Sequence, residues 1–142
     1  MKAEEMWQEF CKDPAIPYEA WKFGDDPDKL AKLVVNGIKT ATCSAYVFYE
    51  LEGEKLPEAG EYSIVLDSKD EAVCIIQTTR VYIEAYKNIS EEHAYKEGEG
   101  NRTLEDWRKI HERFFREELK SVHLEFSEDM KLVCEEFKVV YQ

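Results

Sequence analysis

The chain has 142 residues, 44% of them hydrophobic and 35% charged, with a formal net charge of −12. That length suits one domain that buries roughly two thirds of its unfolded surface, so neither disulfide nor metal is needed to hold a core. The acidity argues against duplex DNA, which needs a basic face, and favours a small or briefly engaged substrate.

The four cysteines, Cys11, Cys43, Cys74 and Cys134, include no CxxC pair. A zinc site is therefore not predicted, and no cofactor is. The opening MKAEEMWQEF has no apolar run, and no stretch approaches the ~20 apolar residues that span a bilayer. These features predict a cytoplasmic protein with reduced thiols and no membrane partner. No linker or internal repeat divides residues 1–142.

Residues 3–11 predict a short helix with Met6, Trp7 and Phe10 on one face. The following PAIPYEAWKFGDDP reads as loop. Asp26 and Pro27 start a second helix, with Leu30, Leu33 and Val34 at helical spacing and Gly37 closing it. IKTATCSAYVFYELEG fits either a helical turn or an extended passage. Residues 61–67 and 72–86 are rich in β-branched and aromatic residues and predict a hairpin, its second strand long enough to bend or bulge. Ser90 caps a short helix that Gly98 or Gly100 ends. Thr103 and Asp106 resemble a capping box for a helix to about Lys120, and Met130–Tyr141 alternates as a strand. Strands interrupted by helices predict an α+β fold, with a small closed barrel as its natural solution.

Three segments carry chemistry. In Gly37-Ile-Lys39-Thr-Ala-Thr42, a continued helical turn would set Lys39 and Thr42 on one face. A lysine partly withdrawn from water could then take the threonine proton. The stretch Glu91–Arg102 crowds His93, Glu97 and Glu99 at a helix end, where a carboxylate could shuttle protons. The bland alternatives are a dipole-complementing lysine and a solvated acidic turn. Trp21 and Tyr46 are candidates to stack on a base, and Arg80, Arg102 and Arg108 to contact phosphate or carbonyl oxygens. Cys43 has no histidine beside it in sequence, and His111 falls on an apolar stripe, which suits a core or cleft-edge residue.

Taken in order, EAWKFGDDPDKLAKLVVNGIKTATCS, YELEGEKLPEAGEYSIVLD and EEHAYKEGEGNRTLEDWRKIHERFF resemble the ASCH family, in its larger bacterial subgroup. They cover most of residues 19–115. The resemblance implies a PUA-like β-barrel with flanking helices and a pocket for a modified nucleoside or single-stranded RNA. Some small members of that family are amidohydrolases that deacetylate N4-acetylcytidine with a lysine, a threonine and a glutamate. By motif these fall on Lys39, Thr42 and Glu97, and the residues themselves add His93, Trp21, Tyr46, Arg80, Arg102 and Arg108 as candidate substrate contacts. The implied roles are Thr42 as nucleophile or water holder, Lys39 as base, and Glu97 as acid to the leaving amine. On that reading Lys39→Ala should lose turnover without unfolding the chain. The alternatives are an RNA-binding protein, a metal-independent ribonuclease, or a non-catalytic sensor of a modified nucleoside.

Overall fold

A computed structural model describes residues 1–142. Helix α1 spans Ala3–Phe10, and its apolar face lays Met6 and Trp7 on Ile64 and Ile75. Helix α2 spans Pro27–Val35, with the Asp26 side chain accepting from the Lys29 amide at 3.2 Å. It buries Leu30, Ala31 and Val34, so the predicted apolar spacing is the packed one. Helix α4 spans Glu91–Glu97 and α5 spans Leu104–Lys120, capped by Ser90 and Thr103. The capping box is modified: Asp106 reaches back to the Asn101 amide rather than to Thr103, whose amide is met by Asn101 Oδ1.

Two segments differ from their sequence expectation. The PAIPYEAWKFGDDP stretch contains strand β1, Glu19–Trp21, which runs parallel to strand β3, Tyr62–Leu66. Three residues are too few to show a period, and only pairing with Tyr62–Leu66 makes them a strand. The ambiguous IKTATCSAYVFYELEG divides into strand β2, Ala41–Ala45, and helix α3, Tyr46–Glu52, which Gly53 ends at φ +66°.

Strands β3 and β4 (Ala72–Ala85) form the predicted hairpin, and β5 (Lys131–Tyr141) lies between β4 and β2. The sheet order is β1-β3-β4-β5-β2, mixed and five-stranded. Breaks in register between Ile75 and Ile76 and between Thr78 and Arg80 bend the long β4. The fold is α+β, as expected, but hydrogen bonds do not close the barrel. β1 and β2 remain edges, because β1 is short and β2 is bordered on its outer side by α4, where the Thr40 amide donates to Lys96 O at 2.7 Å. α4 and α5 cover one face over Ala45, Ala94, Trp107, Phe115, Leu132 and Cys134. α2 covers a second cluster around Phe23, Val65, Ile76 and Phe137.

Burial, and then the charges of Glu61 and Glu19, push the Glu135 carboxyl up to about 7. The folded chain then binds more protons than the unfolded chain between about pH 4.5 and 7, so this group lowers stability as pH rises through that window. Glu135→Gln is expected to raise stability at pH 8 by about 1–3 kcal/mol and to leave pH 4 nearly unchanged. Thermal melts at the two pH values check this, and equal shifts at both would refute it.

Candidate functional site

The site begins where α2 stops. Gly37 takes φ +74°, and the amides of Ile38 and Lys39 both donate to Leu33 O, at 2.9 and 3.1 Å. That double closure turns the chain into β2 and points the Lys39 side chain inward, where it is 1% exposed. The end of α4 meets it. Gly98 adopts φ +73°, and a Cβ there would stand 2.7 Å from Ile38 O. A glycine is required both for the conformation and for the approach. It lets the α4 terminus lie directly against the segment that carries Lys39.

Glu97, also 1% exposed, is the hub. Its Oε1 accepts from Lys39 Nζ at 3.3 Å and faces His111 Nε2 at 3.2 Å. Its Oε2 accepts from Trp107 Nε1 at 2.9 Å and faces His93 Nε2 at 2.7 Å. Trp107 and His111 lie one turn apart on α5, so one helix face presents both, stacked at 4.3 Å. Lys39 Nζ also reaches Glu97 O at 3.3 Å and Glu99 Oε2 at 3.0 Å, and it lies 5.3 Å from the centre of the Phe23 ring. Tyr82 bonds His93 Nδ1 at 2.8 Å from behind.

These contacts decide the charges. Burial alone would push Glu97 up, but the charges of His111 and Lys39 and bonds from both histidines hold it well below the usual carboxylate range. Burial alone would lower Lys39, but Glu97 and Glu99 outweigh it and raise the ammonium. His111 is raised in the same way, burial opposing and Glu97 prevailing. The Cys43 thiol is pushed well up by burial and by Glu97, which makes it a poor nucleophile.

A pocket of about 60 Å³, room for a handful of waters, opens onto this cluster. Lys39, Thr42, Cys43, Glu97, Glu99 and His111 form its polar wall, and Phe23, Leu30, Ile110 and Phe114 its apolar one. A hollow of about 350 Å³ adjoins it through the shared residues Asp25, Leu30, Glu99 and Ile110. Its other lining residues include Asp26, Lys29 and Arg113.

The predicted trio Lys39, Thr42 and Glu97 therefore shares one cavity, although not by the route proposed from sequence. Thr42 lies on an extended strand rather than a helical turn, and Lys39 bonds two glutamates rather than the threonine. Lysine as an uncharged base is also not the resting state, because its carboxylate neighbours keep it cationic. His93 stands behind Glu97, outside the cavity wall. The other expected contacts lie outside that wall too. Trp21 packs edge-on against Phe23, and Tyr46 lies under Lys131. Arg80 pairs with Glu136, and Arg108 donates to Lys87 O. Arg102 lies 3.6 Å over Tyr95 and donates to Ile38 O, so it clamps α4 to the β2 approach. The sequence named Glu99 among several acids without singling it out, and gave His111 no chemical role. The one signal for His111 was an ionisable residue on an otherwise apolar stripe.

Possible ligand atoms of Cys43, His93 and Glu97, and of Glu97, Glu99 and His111, lie within 4.8 Å of one another in each group. The position between the carboxylates of the second group is occupied by the Lys39 ammonium. It already supplies the positive charge that a metal ion would bring there.

The fold and the cluster define a small α+β domain with a bent mixed sheet and a buried lysine–glutamate–histidine site at the sheet edge. The chain belongs to the ASCH domain family, whose profile matches residues 19–141. It is similar to the crystal structure of an ASCH domain from Lactobacillus crispatus JV V101, at 38% identity and TM-score 0.84, over 88% of this chain and 80% of that one. It is also similar to the crystal structure of a protein from Enterococcus faecalis V583, at 43% identity and TM-score 0.89, over 97% and 87%. A search of curated proteins finds no match. No helix is long and apolar enough to cross a membrane.

Proposed function

We propose that this protein hydrolyses the amide of an N-acylated nucleoside such as N4-acetylcytidine. The observation that carries this reading is one cavity walled by a buried ammonium, a hydroxyl and ionised carboxylates: Lys39, Thr42, Glu97 and Glu99. Acyl transfer needs a nucleophile, a proton acceptor and a fixed positive charge for the oxyanion. Thr42 attacks the acyl carbonyl or positions the water that does. Lys39, cationic at rest, steadies the oxyanion. Glu97, saturated with donors, holds Lys39 in place. The proton leaving the nucleophile goes to Glu99, which is bonded by Lys39 alone and reaches both hollows.

The charges around the mouth favour a free nucleoside over RNA. Asp25, Asp26 and Glu99 face Lys29 and Arg113 there, three carboxylates against two cations. The 350 Å³ hollow matches the lower end of ligand clefts, roughly 300–1,000 Å³. The test offers purified protein N4-acetylcytidine and an acetylated single-stranded RNA, with and without EDTA. Release of acetate from the nucleoside, at least about tenfold faster than from RNA, is expected. RNA cleavage with no acetate release would refute the reading.

A further inference from the structure

We propose that His111 is the acid of this cavity, carrying in its resting state the proton that leaves with the substrate amine. The inference rests on the deacylase reading for its chemistry, but its first step is independent of that reading.

His111 Nδ1 lies 2.8 Å from the main-chain oxygen of Trp107. A carbonyl oxygen only accepts, so Nδ1 bears a hydrogen. Its other nitrogen, Nε2, faces Glu97 Oε1 at 3.2 Å and Glu99 Oε2 at 3.7 Å. A bare nitrogen lone pair there would point at two carboxylates. Nε2 is therefore protonated too, and the ring is an imidazolium. His93 shows the contrast. Its Nδ1 meets a hydroxyl, that of Tyr82, which can donate. A neutral His93 thus satisfies both neighbours, with Nε2–H towards Glu97.

Glu97 cannot hold the transferable proton in this arrangement. Its two oxygens already meet four donors, from Lys39, His111, His93 and Trp107. A fifth hydrogen on the carboxyl would displace one of them. The charged groups facing His111 are Glu97 from α4, Glu99 from the loop after it and Lys39 from the approach to β2. Cys43 on β2 and Asp25 on the loop before α2 share the cavity wall. With His111 charged, Lys39 and His111 balance Glu97 and Glu99. The side chain is 9% exposed and itself lines the cavity, so its proton can reach bound substrate.

The reaction then balances. Thr42 Oγ bonds to the acyl carbon while its proton passes to Glu99. The oxyanion forms against Lys39. The C–N bond breaks as His111 Nε2–H goes to the departing nitrogen. Glu99 returns its proton to His111 across the gap between them. Water releases the acyl group from Thr42 as a carboxylic acid.

Two measurements test this. The first is the ¹⁵N NMR spectrum of the histidine rings in the wild-type protein between pH 6 and 8. His111 is expected to show both nitrogens protonated at pH 7, and a neutral ring at pH 7 overturns the proposal whatever the activity. The second compares His111→Gln with wild type on N4-acetylcytidine and on p-nitrophenyl acetate, whose leaving group needs no proton. The amide rate should fall by about 10²–10⁴-fold and the ester rate by less than about fivefold. Equal losses on both probes mean that His111 only supports the fold, and they overturn the acid role. If wild type hydrolyses neither probe, the deacylase reading fails and the acid role falls with it, while the spectrum still decides the charge of the ring.

Discussion

Lys39→Ala is expected to lower deacylation by about 10²–10³-fold or more and to destabilise the fold by about 3–5 kcal/mol. Both effects come from one atom. Nζ is the positive charge within hydrogen-bond reach of both carboxylates that line the cavity, at 3.3 Å from Glu97 and 3.0 Å from Glu99. Without it the oxyanion loses its cation, and the Glu99 carboxylate loses its one hydrogen-bond donor. The loss of turnover expected from sequence therefore comes with a loss of stability: the side chain is buried, and removing one member of a buried pair strands the other. Lys39→Met restores most of the volume but no charge. It should recover part of the stability and none of the rate. Urea unfolding with parallel kinetics separates the two, and a Met variant with wild-type turnover would discard Lys39 as the oxyanion partner.

Glu97→Gln is expected to cost about 3–5 kcal/mol at pH 7, because it leaves Lys39 and His111 facing an amide. The sign of the pH dependence is fixed. Glu97 is held well below its usual range in the folded chain, so the unfolded chain binds the proton first. Its contribution is complete above about pH 4.5 and fades as pH falls through the folded value. The stability gap between wild type and Glu97→Gln should therefore narrow on acidification. His111 works in the opposite sense, since its raised value makes its contribution complete below about pH 6.5 and lost as pH climbs through the folded value. The cluster is consequently most stabilising between these limits. Denaturant unfolding at about pH 5.5 and about pH 3, both below the range in which His111 loses its proton, checks the first slope. An unchanged gap would mean that Glu97 is not the ionised hub.

Local chemistry was legible wherever it was local. Asp26 with Pro27, Ser90 and Thr103 each start a helix because a side-chain oxygen meets an amide two or three residues on, which needs nothing from elsewhere. Gly37 and Gly98 announced turns because other residues strain at positive φ. The motif segments placed Lys39, Thr42 and Glu97 as a set. β1 was hidden because its three residues are extended only through their pairing with β3. The helix-face argument for Lys39 and Thr42 failed because β2 is held extended by β5, a partner some ninety residues away in sequence.

The sequence by itself determined the helix starts, the hairpin and the apolar faces, since each depends on neighbours within a few positions, while the grouping of Lys39, Thr42 and Glu97 came from the family resemblance. Only the tertiary structure decided who carries charge. Burial raises the cost of every unpaired ion, and the pairing of Lys39 with Glu97 and Glu99, and of His111 with Glu97, exists only after α4, α5 and β2 have met. That is why a lysine read as a neutral base is a fixed cation, and a histidine read as core or cleft edge stands in the cavity wall with two carboxylates before it.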